Sequence, residues 1–314
     1  MEQLALVLLN GLVYGLLLFM LSSGLTLIFG MMGVLNLAHA SFYMLGAYFA
    51  YTIGRAVGFW PALLVAPALV GLIGVAVERY GLRTVHKHGH VAELLFTFGL
   101  AFIIGEIVPL IWGRTPVPYR VPAELDFPLF SVAGNAYPAY RLFMMGVAVA
   151  MFVALYAALA RTRLGLVVRA SLTHPDMVGM LGHDVPRVFT LVFGLGSALA
   201  GLAGVIAGNA FTTEPGMAHA LGAIIFAVVV MGGLGSISGA LVASLLIGLV
   251  QTASIGLDLP LGAALARLGV TVDTSRLSDL WSLSIARVAP VVPYLLLVLI
   301  LALRPRGLMG TRST

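Results

Sequence analysis

Long apolar stretches recur along the whole chain, near residues 4–30, 39–57, 61–79, 91–112, 141–160, 188–208, 218–233, 239–256 and 286–303. Most approach the roughly 20 residues that a helix needs to cross a bilayer. A stretch such as LFMMGVAVAMFVALYAALA (142–160) does not alternate, so it is not the two-faced strand of an outer-membrane barrel. Backbone in lipid must satisfy its own hydrogen bonds, and a non-alternating apolar run does so as a helix. The pattern therefore predicts an all-α polytopic membrane protein of about eight to ten transmembrane helices, organised as one transmembrane domain over residues 1–314.

Two places interrupt the apolar pattern. In FGMMGVLNLAHASFYMLGAY (29–48), Gly30 and Gly33 are followed by Asn36, His39 and Ser41 within a few positions. Glycine costs about 1 kcal/mol in a helix interior, and polar side chains at membrane depth need partners. The segment reads as a broken helix. Unwound backbone survives at that depth only when enclosed by protein or lining a watery cavity, and transporters use such breaks as solute sites. Asn36, His39, Ser41, Gly30 and Gly33 are thus candidate pathway residues. A second reading stays open, in which Asn and His hydrogen-bond across a close helix–helix contact. The other break is GGLGS (232–236), which predicts a turn between two short spans. Gly11/Gly15, Gly204/Gly208 and Gly235/Gly239 carry GxxxG spacing, a close-packing signal.

Composition sharpens the class. The chain is 61% hydrophobic and 9% charged, against about 25% charged in soluble domains, so most of it cannot face water. Its net charge of +5 reflects basic loops under the positive-inside rule rather than nucleic-acid binding. One alternation of spans collects Arg79, Arg83, Lys87, Arg161, Arg163, Arg169, Arg187, Arg304, Arg306 and Arg312 on one face, which is expected to be cytoplasmic. With nine spans the N-terminus would lie outside. The start MEQLALVLLNGLVYG lacks a basic n-region and a cleavage site, so the first helix is expected to be retained.

Candidate chemistry is sparse. The absence of cysteine removes disulfides and thiol chemistry. No phosphate loop of the GxxxxGK[ST] type occurs, and no Ser-His-Asp set or carboxylate pair stands out, so no enzyme activity is expected. HKHGH (86–90) could bind a metal, but beside Arg79 and Arg83 it reads as a loop turn, and no metal is assigned. Glu106 lies inside the 91–112 run, where a carboxylate is a functional candidate; Trp112 marks a nearby interface at which it would hydrate.

Three loops exceed simple turns. Residues 113–140, rich in Pro and Tyr, should be extended. Residues 257–285 mix Arg and Asp with apolar positions, as an interfacial helix does. Residues 161–187 hold a short polar helix bracketed by Ser171, in a cap-like SLTHPD, and by Gly182 at a C′ position. Met177, Val178, Met180 and Leu181 make a small apolar knob on it. A helix this short is marginal alone, so it is expected to dock on a partner.

That loop, RTRLGLVVRASLTHPDMVGMLGHDVPR, resembles the cytoplasmic coupling loop of ABC importer permeases, with Ala170 before the short helix and Gly182 in the glycine position. NLAH (36–39), SALAGLAGVIAG (197–208) and GGLGSISGALVASLLIGL (232–249) resemble the permeases of branched-chain amino acid importers, and the similarity covers essentially the whole chain. The short N-terminus is similar to the smaller, LivH-type permease. Ala40 departs from the family, which commonly has Gly after the His.

The resemblance implies a permease subunit of an ATP-driven importer in the bacterial inner membrane. Its partners would be a second, LivM-type permease, two ATP-binding subunits and a periplasmic solute-binding protein. Coupling to the ATPase would fall to Ala170, Ser171, Pro175, Asp176, Met177, Val178, Leu181 and Gly182. Asn209 and Glu214 would meet the binding protein. ATP would act on the partner subunits, with no cofactor in this chain. The solute would be a branched-chain amino acid or a relative such as urea, an amide or an aromatic acid. The alternative is a self-sufficient secondary transporter or channel, proton-coupled through Glu106 and His39.

Overall fold

The computed structural model describes residues 2–132, 134–173, 175–257, 260, 262–263 and 281–310. Helix α1 (Glu2–Met32) ends at the first break, and α2 (His39–Val57) begins after it. Helix α3 (Phe59–Ala76) runs through a π-helical turn, Val77–Leu82, into α4 (Arg83–His86). Then follow α5 (His90–Trp112), a 3-10 turn (Ala123–Leu125), the antiparallel hairpin β1 (Pro128–Val132) and β2 (Asn135–Pro138), and α6 (Ala139–Arg161). Helices α7 (Arg163–Thr173) and α8 (Pro175–Met180) precede α9 (Val185–Gly208), α10 (Met217–Gly232) and α11 (Ile237–Leu257). The last are α12 (Ile285–Val288) and, after a 3-10 turn, α13 (Val292–Leu303).

Among the described residues, seven helices are long and apolar enough to cross a membrane; α10, at 16 residues, is a shorter apolar helix. Helix α2 spans 19 residues, about 28 Å of helix at 1.5 Å per residue, close to a hydrocarbon core. The protein is a multi-pass, all-α membrane protein, and among the described residues its sheet is one two-stranded hairpin. The extended character expected for 113–140 is realised by that hairpin. The expected helix in 257–285 lies largely outside the described residues.

The core is built on α9, with 67% of its apolar window buried against 17% for α5 and 11% for the last span. Small residues explain why. With no hydrophobic gain from leaving lipid, membrane helices associate through close backbone packing. A Cβ on Gly204 would overlap the Tyr43 carbonyl of α2, and one on Gly24 would overlap the Gly196 carbonyl, so α1 and α2 lie directly on α9. Gly71 and Gly74 of α3 meet Ala198 and Ser197 in the same way. Gly11 and Gly15 of α1 press on Leu249 and Leu245 of α11. All three GxxxG pairs sit at such contacts, Gly239 against Gly232 included.

Helix ends gather at two faces. At one, Gly30 touches Gly235 in the α10–α11 turn, and the C-terminal tail closes on α10 through Leu308 N–H to Met231 O (2.8 Å) and Met309 N–H to Gly232 O (3.0 Å). Helices α7 and α8, expected from the sequence to be the coupling loop, pack there on α1 and α9, and the name coupling face follows that expectation. At the other, the hairpin face, Val117 N–H donates to Thr213 O (3.0 Å) and Trp112 Nε1 to Thr52 Oγ1 (2.8 Å). Tyr119, half-buried in this loop, donates to Val205 O at 3.1 Å, and desolvation pushes its hydroxyl pKa up, keeping it a donor.

Candidate functional site

The first break is closed by short-range hydrogen bonds. Gly33, at φ +65°, ends α1 with its N–H on Phe29 O (2.9 Å). Asn36 then makes an Asx turn: its Oδ1 accepts from Ala38 N–H (3.1 Å) and its backbone oxygen from His39 N–H (3.2 Å). This starts α2 without leaving its first donors bare. From that first turn His39 Nε2 donates to Leu21 O (2.9 Å), in the middle of α1. The imidazole fits because Gly24 lacks a side chain; a Cβ there would crowd the ring as well as Gly196.

Asn36 and His39 are each 2% exposed, and Asn36 Nδ2 and His39 Nδ1 have no protein partner. Both residues line a cavity of about 330 Å³ between α1, the break, α10 and α13, walled by Leu25, Phe226, Tyr294 and Leu297. Its size suits a small ligand. Ala40 also lines it, opposite Gly222, so the extra methyl narrows the space. Of the other residues singled out in the break, Ser41 is buried in α2 away from the cavity lining, and Gly30 packs on Gly235.

The coupling loop differs from the expected single helix at 171–182. Thr162 Oγ1 accepts from Gly165 N–H (3.1 Å), an N-cap that starts α7 at Arg163. Ser171 is therefore no cap: it is inside α7, buried, donating to Val167 O (2.8 Å), one position after the half-buried Ala170. The second helix, α8, opens with Pro175 and Asp176.

Gly182, at φ +86°, closes α8 as a Schellman motif: His183 N–H bonds to Val178 O (3.2 Å) and Gly182 N–H to Gly179 O (3.0 Å). Of the apolar knob, Val178 is buried as an anchor. Met177, Met180 and Leu181 are 60%, 83% and 78% exposed.

Behind the knob, Asp184 caps α9 by accepting from Arg187 N–H (3.1 Å). The first turn of α9 is tied to α3–α4 by Arg83. Its guanidinium bonds Glu78 (Nη2 to Oε2, 3.1 Å) and the Pro186 carbonyl (2.9 Å), and Thr190 Oγ1 donates to Glu78 Oε2 (2.5 Å). The π turn makes this possible, because Arg83 N–H reaches Glu78 O five residues back and sets the two side chains together. Nearby, buried Glu93 receives His86 and His90 through their Nδ1 atoms. Two of the HKHGH histidines are thus engaged by a carboxylate, and among the described residues no group of three His, Asp or Glu could hold a metal.

This cluster was missed in the sequence, where Glu106 looked like the notable intramembrane acid. Glu106 is exposed on α5, beside the exposed Phe102, Ile103 and Ile107. No hydrogen bond links it to His39 among the described residues. On the hairpin face, Asn209 is 9% exposed at the end of α9, which leaves exposed Glu214 as the accessible acidic group of that loop.

The family described as the branched-chain amino acid transport system, permease component, matches residues 7–301. The chain belongs to this permease family. It is 26% identical to the high-affinity branched-chain amino acid transport permease BraD of Pseudomonas aeruginosa, over 96% of this chain and 94% of that one. Identity to LivH of Escherichia coli K12 is 28% with the same shares, and to a probable LivH of Methanocaldococcus jannaschii 31% over 77% and 78%. No solved structure matches. The match takes in the break, the α10–α11 turn and the segment of α7 and α8.

Proposed function

We propose that this permease is a transmembrane subunit of an ATP-driven importer for branched-chain amino acids, working in the cell membrane beside a second permease, two ATP-binding subunits and a solute-binding protein. ATP binds and is hydrolysed on the partner subunits, and the coupling face is cytoplasmic. Solute delivered at the hairpin face moves past Asn36 and His39. The observation that carries this reading is the α8 knob: Met177 and Met180 exposed on a six-residue helix and Leu181 exposed just after it, anchored by Val178 and joined within a few residues to the Arg83–Glu78 tie. A helix so short does not hold an exposed apolar surface for its own stability; the surface fits a groove on a partner.

Charge placed on the knob tests it. Met180→Asp and Leu181→Asp alter side chains that are exposed in the chain itself, so the permease should fold. Both should abolish amino acid uptake in proteoliposomes, by loss of the ATP-binding subunits or by ATP hydrolysis that no longer drives transport. Full assembly with full uptake in both variants refutes the assignment.

A further inference from the structure

Two cavities on the hairpin face are separate from the Asn36–His39 cavity. The larger, about 380 Å³, lies between the outer ends of α1, α6, α9 and α11. Its polar lining includes Asn10, Arg141 and Gln251 beside Tyr14 and Thr252, set among Val13, Met144 and Phe211. Arg141 donates to Asn10 Oδ1 (2.5 Å) and lies 5.5 Å from the centre of the Tyr137 ring. No carboxylate among the described residues forms an ion pair with it, and a guanidinium has donors to spare in a fork that matches a carboxylate. Gln251 Oε1, buried on the same cavity, has no donor. The smaller cavity, about 230 Å³, shares Tyr14 and Phe211 with the first and adds Glu214.

We propose that the larger cavity is an outer subsite for a free aliphatic α-amino acid. Arg141 takes the carboxylate, Gln251 Oε1 accepts from the ammonium, and Val13, Met144 and Phe211 hold the side chain. Each feature excludes an alternative. A site for a simple anion has no use for a buried bare acceptor, a site for a cation would not present Arg141, and a polar solute would not be given these walls. The inference rests on the importer reading and names where the solute first meets this chain.

The chain has no cysteine, so Ala210→Cys places a single thiol on the cavity wall; Thr252→Cys serves as a second position. In the assembled complex, reaction with a small water-soluble thiol reagent is timed alone and with millimolar L-leucine, isocaproate or isoamylamine. L-leucine should slow labelling several-fold, while isocaproate, lacking the ammonium, and isoamylamine, lacking the carboxylate, should not. Arg141→Gln should remove the protection. Gln251→Leu, which deletes an unpaired buried polar group and so does not threaten the fold, should weaken it. ATP-driven leucine uptake by the parent complex is measured in parallel. Uptake with labelling at both positions that leucine leaves unchanged, or that isocaproate slows equally, overturns the subsite and leaves the importer standing. A complex that takes up no branched-chain amino acid overturns the function and the subsite with it.

Discussion

The His39 imidazole is fixed from one side, by Leu21 O, while its Nδ1 and Asn36 Nδ2 are buried without a protein partner, in two residues that line the cavity. With Nε2 donating, Nδ1 is an acceptor, so the pair holds one acceptor and one amide donor that no protein group satisfies. His39→Gln retains a donor and an acceptor and should keep substantial ATP-driven uptake. His39→Leu removes both and breaks the tie to α1, a hydrogen bond contributing about 0.5–1.5 kcal/mol; uptake should fall by well over half at unchanged expression. Equal uptake in the two variants would remove His39 from the pathway. These residues were legible in the sequence because polar groups stand out in an apolar run. Gly24 was not: its role depends on the Gly196 carbonyl, 172 positions away in the chain, and nothing local in α1 marks which glycine that carbonyl will meet.

Among elements, the coupling loop shows how far local signals reach. The stop at Gly182 was readable, since a C′ glycine terminates a helix by its own conformation. The start was misplaced because Thr162, the actual cap, directly follows the long apolar α6, whereas SLTHPD is a stronger local cap pattern that falls inside α7 and at the α7–α8 break. The Arg83–Glu78–Thr190 tie was invisible for two reasons. Its π turn shifts the helical register, and its second half comes from more than 100 residues downstream.

That tie is the direct link from the knob, through α9, to the α3 end. It is partly exposed at Arg83, with 38% of that side chain accessible, so screening limits its contribution. Glu78→Gln should lower stability by only about 1–2 kcal/mol, leaving a folded, assembled complex. Uptake per ATP hydrolysed should nevertheless drop several-fold, because the first turn of α9, next to the knob, is no longer clamped to the π turn at the end of α3. An unchanged coupling ratio would show that the tie holds the structure and transmits nothing.

At the scale of the whole molecule, α9 is the fixed centre and α5 and α13 the exposed flanks. A buried helix pinned by backbone contacts to α1, α2 and α3 moves as a block with them, whereas α13 and the stretch of α10 before Gly232, which wall the Asn36–His39 cavity, make no such close backbone contacts at their glycines. The cavities on the hairpin face and the one at the break have different linings and share no residue. On the importer reading, solute passing between them would need a rearrangement, and the elements placed to make it are α13 and the stretch of α10 before Gly232. Leu37 reports on that step: it lines the inner cavity, is 43% exposed, and sits in the break, outside any helix interior. Leu37→Cys in the otherwise cysteine-free chain should react with a membrane-impermeant thiol reagent applied from the coupling face of the assembled complex. Its rate should change at least several-fold when ATP is trapped on the partner subunits, as α10 and α13 close on or open from the break. A thiol at Ser41, buried in α2 off the cavity lining, should stay slow in both states. If Leu37→Cys reacts at one rate throughout, the break is a static packing joint, and the moving path lies elsewhere in the complex.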